Sequence, residues 1–175
     1  MPAPGNRPPA LKVLALLALV PLVLVGLGVA RLAVLVLPFP RLSRRFGRSM
    51  GAVALVPLAT PSQMRNASFI GRVIRRVAPR TPWESNCLPQ AILARILLGV
   101  LGIPYALHLG LRSRPGNAGE SIAHAWVACG RVFVTGGNGF ANYPVVAAFV
   151  SAGAVPGRGI EVPTSPAING SRWRS

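Results

Sequence analysis

Cys87 and His124 are the side chains whose types and positions could carry out nucleophilic catalysis. Cys87 stands directly before an apolar stretch, residues 88–101, that is predicted to form a buried helix. Ser85 and Asn86 precede it and are available as capping residues. The positive end of the helix dipole stabilises a thiolate at this position, and free backbone N–H groups there can bind a developing oxyanion.

His124 is the candidate base for this thiol. It lies in a predicted strand, where it shares one face with Trp126 and Ala128. An imidazole there can accept the thiol proton and later protonate a leaving amine. Such a base normally needs an acceptor on its second nitrogen, often an Asp or Asn, and this chain contains no Asp. Asn138, in the Gly-rich turn after the next strand, is the nearest candidate for that role.

The other cysteine and histidine are predicted to be structural. Cys129 lies on the opposite face of the strand from His124, so we expect it to fill the core. His108 alternates with apolar neighbours. No C-x-x-C or H-x-x-x-H spacing is present, which argues against a zinc site. Two cysteines allow one pairing and no disulfide framework, and free thiols in the cytosol are the simpler interpretation.

The elements around these residues follow from periodicity. An amphipathic helix is predicted over 62–77, and alternation predicts a strand over 105–111. Two more strands, 122–129 and 131–135, are joined tightly at Gly130. We expect a polar loop over 114–119. The predicted organisation is an apolar helical segment with a basic connector (1–48), a catalytic core (49–150) and an irregular tail (151–175).

The charge is strongly unbalanced. There are 19 basic residues and three acidic ones, giving a formal net charge of +16. The basic residues are spread along the chain and do not alternate with aromatic side chains as in a platform for stacking bases, so nucleic-acid binding is not expected. An anionic membrane surface or an acidic peptide substrate suits this field better.

The N-terminal segment is apolar enough to interact with a membrane. Residues 13–30 contain no charge, and Lys12 and Arg31 bracket them. A helix packed on the catalytic core and a cleaved signal peptide are the alternatives. Several arginines follow the segment, which favours the cytoplasmic side of the membrane. We therefore expect a cytoplasmic protein associated with, or anchored in, the membrane through this segment.

Several short segments resemble the lasso-peptide leader peptidases, the transglutaminase-like protease halves of split B proteins (the microcin-processing family). The stretch 82–91, PWESNCLPQA, resembles the family's nucleophile motif, and 123–127, AHAWV, resembles its histidine strand. Shorter similarities occur at 37–42, 45–47, 102–104, 107–111 and 134–137. Together they cover roughly residues 37–149.

The resemblance implies an α+β, papain-like fold in which the catalytic cysteine begins a central helix packed on an antiparallel sheet. It also implies a cysteine peptidase with Cys87 as nucleophile and His124 as general base. The family's third residue is usually an Asp after the histidine strand, and none is present here; Asn138 is a positional substitute. No cofactor and no metal are expected.

The partners implied are a ribosomally made precursor peptide, a separate leader-recognition protein and a macrolactam synthetase. The chain lacks room for a leader-recognition domain of its own. Three other functions stay open at this point. The chain could be a non-catalytic scaffold of a maturation complex, an acyl transferase using the same residues, or a small basic membrane protein without activity.

Overall fold

The computed structural model describes residues 9–113, 121–152 and 156–157, with side chains over 19–113 and 121–152. Helices and strands alternate irregularly along the chain. The elements are α1 (Pro9–Val36), α2 (Phe39–Ser43), β1 (Arg48–Gly51), β2 (Val56–Pro57), α3 (Pro61–Val77), α4 (Cys87–Val100), β3 (Ala106–Ser113), β4 (Ser121–Cys129), β5 (Val132–Thr135), β6 (Val145–Val150) and β7 (Pro156–Gly157).

Five of the strands form an antiparallel sheet in the order β1-β6-β3-β4-β5, and β2 pairs with β7 separately. Side chains alternate between the two faces of the sheet. Leu107, Val127 and Phe149 point into the core shared with the helices. The α+β class, with helices on an antiparallel sheet, is therefore confirmed.

Helix α3 covers the β5 edge of the sheet. It begins at a capping box, in which the Thr60 side chain accepts from the Gln63 N–H and the Gln63 side chain accepts from the Thr60 N–H. Its apolar stripe is buried, and Gly71 lies so close to β5 that an added Cβ would be 2.2 Å from the Val134 carbonyl oxygen. The helix predicted over 62–77 is thus confirmed, and its glycine permits the close approach.

Helix α4 is the central helix, and its start determines where Cys87 lies. It packs on α1, α3 and β4, with Ala91, Leu93 and Leu98 buried. It ends before Gly102, which has a φ of +61° that favours glycine. The predicted and observed bounds differ by one residue at each end.

Helix α1 packs on α3 and α4 with one face. Val23, Leu27 and Ala30 are buried in the core, and Gly26 lies against Leu93 of α4. Residues 19–36 have a mean hydropathy of 2.5, so this helix is long and apolar enough to cross a membrane; a core helix or a signal sequence meets the same criterion.

Four strands were not anticipated from the sequence: β1, β2, β6 and β7. Strand β1 begins at Arg48, inside the predicted basic connector, because it pairs with β6. The two residues of β7 lie in the tail predicted to be irregular, where they pair with β2. The predicted loop over 114–119 and the rest of the tail beyond residue 152 lie outside the described residues.

Candidate active site

Cys87 is the first residue of α4, and the N–H groups beside it carry no cap. Asn86 occupies the N-cap position without a side-chain capping hydrogen bond. Asn86 is thus the N-cap residue, as expected, but it makes no capping hydrogen bond, and the Ser85 hydroxyl is 2.9 Å from the Thr81 hydroxyl instead. The first N–H groups of a helix have no intrahelical partner, and within the described residues those of Cys87 and Leu88 have no other partner, so they are available to a ligand.

The loop before Cys87 is held at both ends by side chains. The Thr81 hydroxyl lies 2.8 Å from the Ala78 carbonyl oxygen and 2.7 Å from that of Trp83. The Gln90 amide, one turn into α4, donates to the Ser85 carbonyl at 2.7 Å. These contacts fix the chain that enters the helix, and therefore the position of the Cys87 side chain.

His124 is oriented by a backbone carbonyl. Its Nε2 atom is 2.8 Å from the carbonyl oxygen of Gly136. A carbonyl oxygen only accepts, so Nε2 carries the proton and Nδ1 presents a lone pair. The ring is also held between Trp126, 5.8 Å away, and Tyr143, 4.9 Å away, measured between ring centroids. This tautomer and orientation make Nδ1 the basic atom.

Cys87 and His124 line the same cavity, which lies where β5 ends. Strand β5 pairs with β4 only over residues 127–129, so the edge of β4 beside His124 is left to the turn at Gly136. The cavity measures about 480 Å³. Its lining residues are Arg75, Cys87, Gln90, His124, Phe133, Gly136, Gly137 and Asn138. No hydrogen bond joins Cys87 to His124 in the described part of the chain, as is common before substrate binds.

The model of the transglutaminase-like superfamily matches residues 33–148. This chain belongs to that superfamily. The match spans the whole cavity, from α3 through α4 and the histidine strand to the turn that carries Gly136. Comparisons with curated proteins and with solved structures gave no match.

Members of the transglutaminase-like superfamily include cysteine peptidases and transglutaminases. Both types of enzyme form an acyl-thioester on a cysteine and differ in whether water or an amine removes it. The arrangement at Cys87 and His124 contains the parts that this chemistry requires: a thiol, a base of defined tautomer and free N–H donors. The superfamily alone does not select the acceptor.

Asn138 lies in this transglutaminase-like cavity, but it does not make the expected hydrogen bond with His124 among the described residues. It is exposed and lines the cavity. Among the described residues His124 has its ring hydrogen bond with Gly136 and none with Asn138. The third catalytic role of Asn138 stays a prediction, and the orienting acceptor in this structure is a backbone carbonyl.

Cys129 and His108 are buried away from the cavity. Burial raises the pKa of the Cys129 thiol to about 11. Burial also lowers the pKa of His108 to about 4. The Leu55 N–H donates to its Nε2 at 3.2 Å. His108 therefore has a hydrogen-bond partner that the strand pattern did not indicate. Its position and that of Cys129 in the buried part of the sheet fit a structural role.

Two polar side chains of the cavity, those of Arg75 and Gln90, were not predicted from the sequence. Arg75 lies on the polar side of the amphipathic helix α3, where a solvated side chain is the usual expectation, yet it lines the cavity beside Cys87. Gln90 interrupts the apolar sequence of α4. Its position three residues after Cys87 on a helix is a signal that could have found it, because residues at that spacing share a face.

Proposed function

We propose that this protein is a cysteine peptidase that removes the leader from a lasso-peptide precursor. The observation that carries the catalytic part is that Cys87, at an uncapped helix N-terminus, and His124 line one cavity. The leader-peptidase part is supported by the resemblance of residues 82–91 and 123–127 to the motifs of those enzymes.

The mechanism follows from the positions of the hydrogen-bonding groups. His124 Nδ1 takes the proton of Cys87, and the thiolate attacks the carbonyl carbon of the scissile peptide bond. The N–H groups of Cys87 and Leu88 bind the oxyanion of the tetrahedral intermediate. The imidazolium then protonates the leaving amine, which departs as the new core N-terminus. Water attacks the thioester with His124 as base, and this releases the leader carboxylate and restores the thiol.

Gly136 has a positioning role in this mechanism. Its carbonyl holds the Nε2 proton of His124, as an Asp or Asn side chain does in other cysteine and serine proteases. A neutral carbonyl stabilises the imidazolium less than a carboxylate, so we expect a slower enzyme than one with an Asp. The peptide is presented by a separate leader-recognition protein, and a macrolactam synthetase uses the freed N-terminus.

The test is mass spectrometry of a lasso-peptide precursor incubated with this protein, a leader-recognition protein and the synthetase. Cleavage at one bond is expected for the wild type and for Cys129→Ala, the matched control for loss of a thiol. It should be lost in Cys87→Ala and His124→Ala. Absence of cleavage by the wild type with all components present would refute the proposed peptidase activity.

A non-catalytic scaffold is the second candidate, and the lack of any Asp in the chain favours it. A scaffold would support maturation of the precursor equally well with Cys87→Ala. An acyl transferase would instead join the leader to an added primary amine, with a mass change that distinguishes it from hydrolysis. The same experiment therefore separates the three.

We also propose that α1 attaches the protein to the cytoplasmic face of a membrane by lying in the plane of the interface. Its exposed side carries a row of apolar residues at helical spacing, each more than half exposed: Leu22, Val25, Val29, Leu32 and Val36. Exposed arginines follow, which attract anionic lipids: Arg41, Arg44, Arg45 and Arg48.

The docked face of α1 argues for the in-plane arrangement over a spanning one. Spanning would require Val23 and Leu27 to leave the core, and the ion pair of Arg31 with Glu84, 3.2 Å long, to break.

Sedimentation with vesicles containing anionic lipid should bring down the wild type, and the double variant Val25→Gln/Val29→Gln should stay soluble. Leu58→Gln, a similar change at an exposed leucine elsewhere, is the control. Equal sedimentation of all three proteins would contradict the proposal.

A further inference from the structure

Arg75 lies beside the nucleophile, and among the described residues it is the one arginine or lysine that lines the cavity of Cys87. It also lines a neighbouring cavity that follows the loop over residues 78–86. Arg75 and Gln90 line both cavities, so Arg75 lies where the two meet, close to Cys87. A peptide bound at Cys87 would therefore lie near this guanidinium.

The side chain is anchored, which gives it a defined position. One Nη atom of Arg75 donates to the Val134 carbonyl at the end of β5. Gly71, one turn earlier on α3, leaves the space for this contact, since a Cβ there would lie 3.0 Å from the same Nη atom. A guanidinium has five N–H donors, so the anchor leaves others for a ligand.

The cavity offers this cation no negative partner. Within the described residues Arg75 forms no salt bridge, and the residues lining the Cys87 cavity include no carboxylate. In the neighbouring cavity Glu84 is paired with Arg31 of α1. Partial burial and the nearby Arg72 lower the pKa of Arg75, in the way expected of a cation without a compensating anion.

We propose that Arg75 binds a carboxylate of the peptide substrate close to the scissile bond, and so selects for an acidic residue there. The inference rests on the proposed peptidase function and adds the substrate class. Arginine is suited to this because its planar fork pairs with both carboxylate oxygens. The strongly positive chain also draws acidic peptides toward the site.

The test compares two small alkylating probes at Cys87, and neither needs the precursor. Iodoacetate carries a carboxylate, whereas iodoacetamide is its neutral analogue. Rates of labelling are followed by mass spectrometry of the Cys87 peptide, and the ratio of the two rates is taken. A change in thiol reactivity alters both rates together, so the ratio isolates recognition of the carboxylate.

The ratio of iodoacetate to iodoacetamide labelling should fall about fivefold in Arg75→Gln, the size expected for one partly exposed ion pair. Arg75→Lys keeps the charge and loses the planar fork, so its ratio of labelling rates should lie between those of the wild type and Arg75→Gln. Arg72→Gln is the matched control: it removes the same charge from the same helix, where Arg72 contacts Ser68 at 3.5 Å and does not line the cavity. Its ratio should stay near that of the wild type.

Two results would overturn the inference, and they differ in what they mean for the peptidase. If Cys87 reacts readily and the ratio is unchanged in Arg75→Gln, the carboxylate site is wrong while the peptidase stands. An equal fall in Arg72→Gln would mean that only the general field acts, with the same consequence. If neither probe labels Cys87 at neutral pH, the nucleophile itself is wrong and both proposals fall.

Discussion

The two cysteines and two histidines of this chain divide between two regions of contrasting environment. Cys87 and His124 are half-buried and line the cavity at the end of β5. Cys129 and His108 are buried in the closed part of the sheet. The residue type alone therefore does not make a catalytic group. Water access, free donors and an oriented base are present in one region and missing from the other.

The largest expected difference is between the two cysteines. Iodoacetamide should label Cys87 in the native protein at neutral pH. Cys129 should react at least about a thousandfold more slowly, because it is fully buried and its pKa is raised to about 11. Labelling is measured by peptide mass spectrometry with and without denaturant. Cys87→Ala should abolish native labelling and Cys129→Ala should preserve it. Similar native rates at both thiols would erase the contrast.

The two histidines should differ in how they couple to stability. His108 has a native pKa of about 4 and an unfolded pKa near 6.5, so only the unfolded state gains a proton between these values. Its contribution to stability is therefore full above pH ~6.5 and is lost as the pH falls toward about 4. Few other groups titrate in this window, since the chain has three acidic residues.

Urea unfolding should measure this loss. The free energy of unfolding should be roughly 2–3 kcal/mol lower at about pH 4.5 than at about pH 7.5. His108→Gln keeps an acceptor for the Leu55 N–H and cannot titrate, so its stability should change much less over the same range. If the variant and the wild type show the same slope, His108 is not the group responsible.

Substitutions at two glycines can distinguish the effect of misplacing His124 from the effect of backbone strain in the turn. Gly136 and Gly139 both have a positive φ, +67° and +75°. A Cβ at Gly136 would lie 2.3 Å from the Ala125 carbonyl oxygen, whereas one at Gly139 would have its closest contact at 3.9 Å. Gly136→Ala must therefore move the turn whose carbonyl holds His124.

Gly136→Ala should lower kcat for precursor cleavage about tenfold, the loss of one hydrogen bond to a charged group. Gly139→Ala carries the same φ strain and should lose stability without a comparable loss of kcat. Thermal unfolding of both variants provides the correction for folding. Equal losses of kcat in the two would show that strain in the turn, and not the contact with His124, determines activity.

Local patterns in the sequence were sufficient for α1, α3 and α4 and for the paired strands around the site, but not for the short helix α2. The apolar run after Cys87 and the alternation at His124 depend on neighbours in sequence, so α4, β3 and β4 were predictable. Strand β6 was not, because its pairing partners β3 and β1 lie far away in the chain, β1 almost a hundred positions earlier. Long-range pairing leaves little trace in local composition.

The candidate site was predictable only where the functional group belongs to a side chain. Cys87 and His124 have diagnostic types, whereas any residue can offer the backbone carbonyl that orients His124. The role of Arg75 also escaped prediction. Helical periodicity shows that it is exposed, but only the packing of Gly71 against Val134 brings α3 close enough for Arg75 to line the cavity.

Asn138 provides the smallest and most discriminating prediction. If the carbonyl of Gly136 orients His124, as the 2.8 Å contact indicates, Asn138→Ala should lower kcat less than about threefold, since an exposed side chain without that contact contributes little. If Asn138 swings onto His124 when the peptide binds, the loss should approach the hundredfold or more expected of a triad member. Precursor cleavage by Asn138→Ala and Asn138→Asp decides between them. An Asp that accelerates the reaction would mean that a side chain at 138 reaches the imidazole, and the backbone carbonyl would then be only its resting partner.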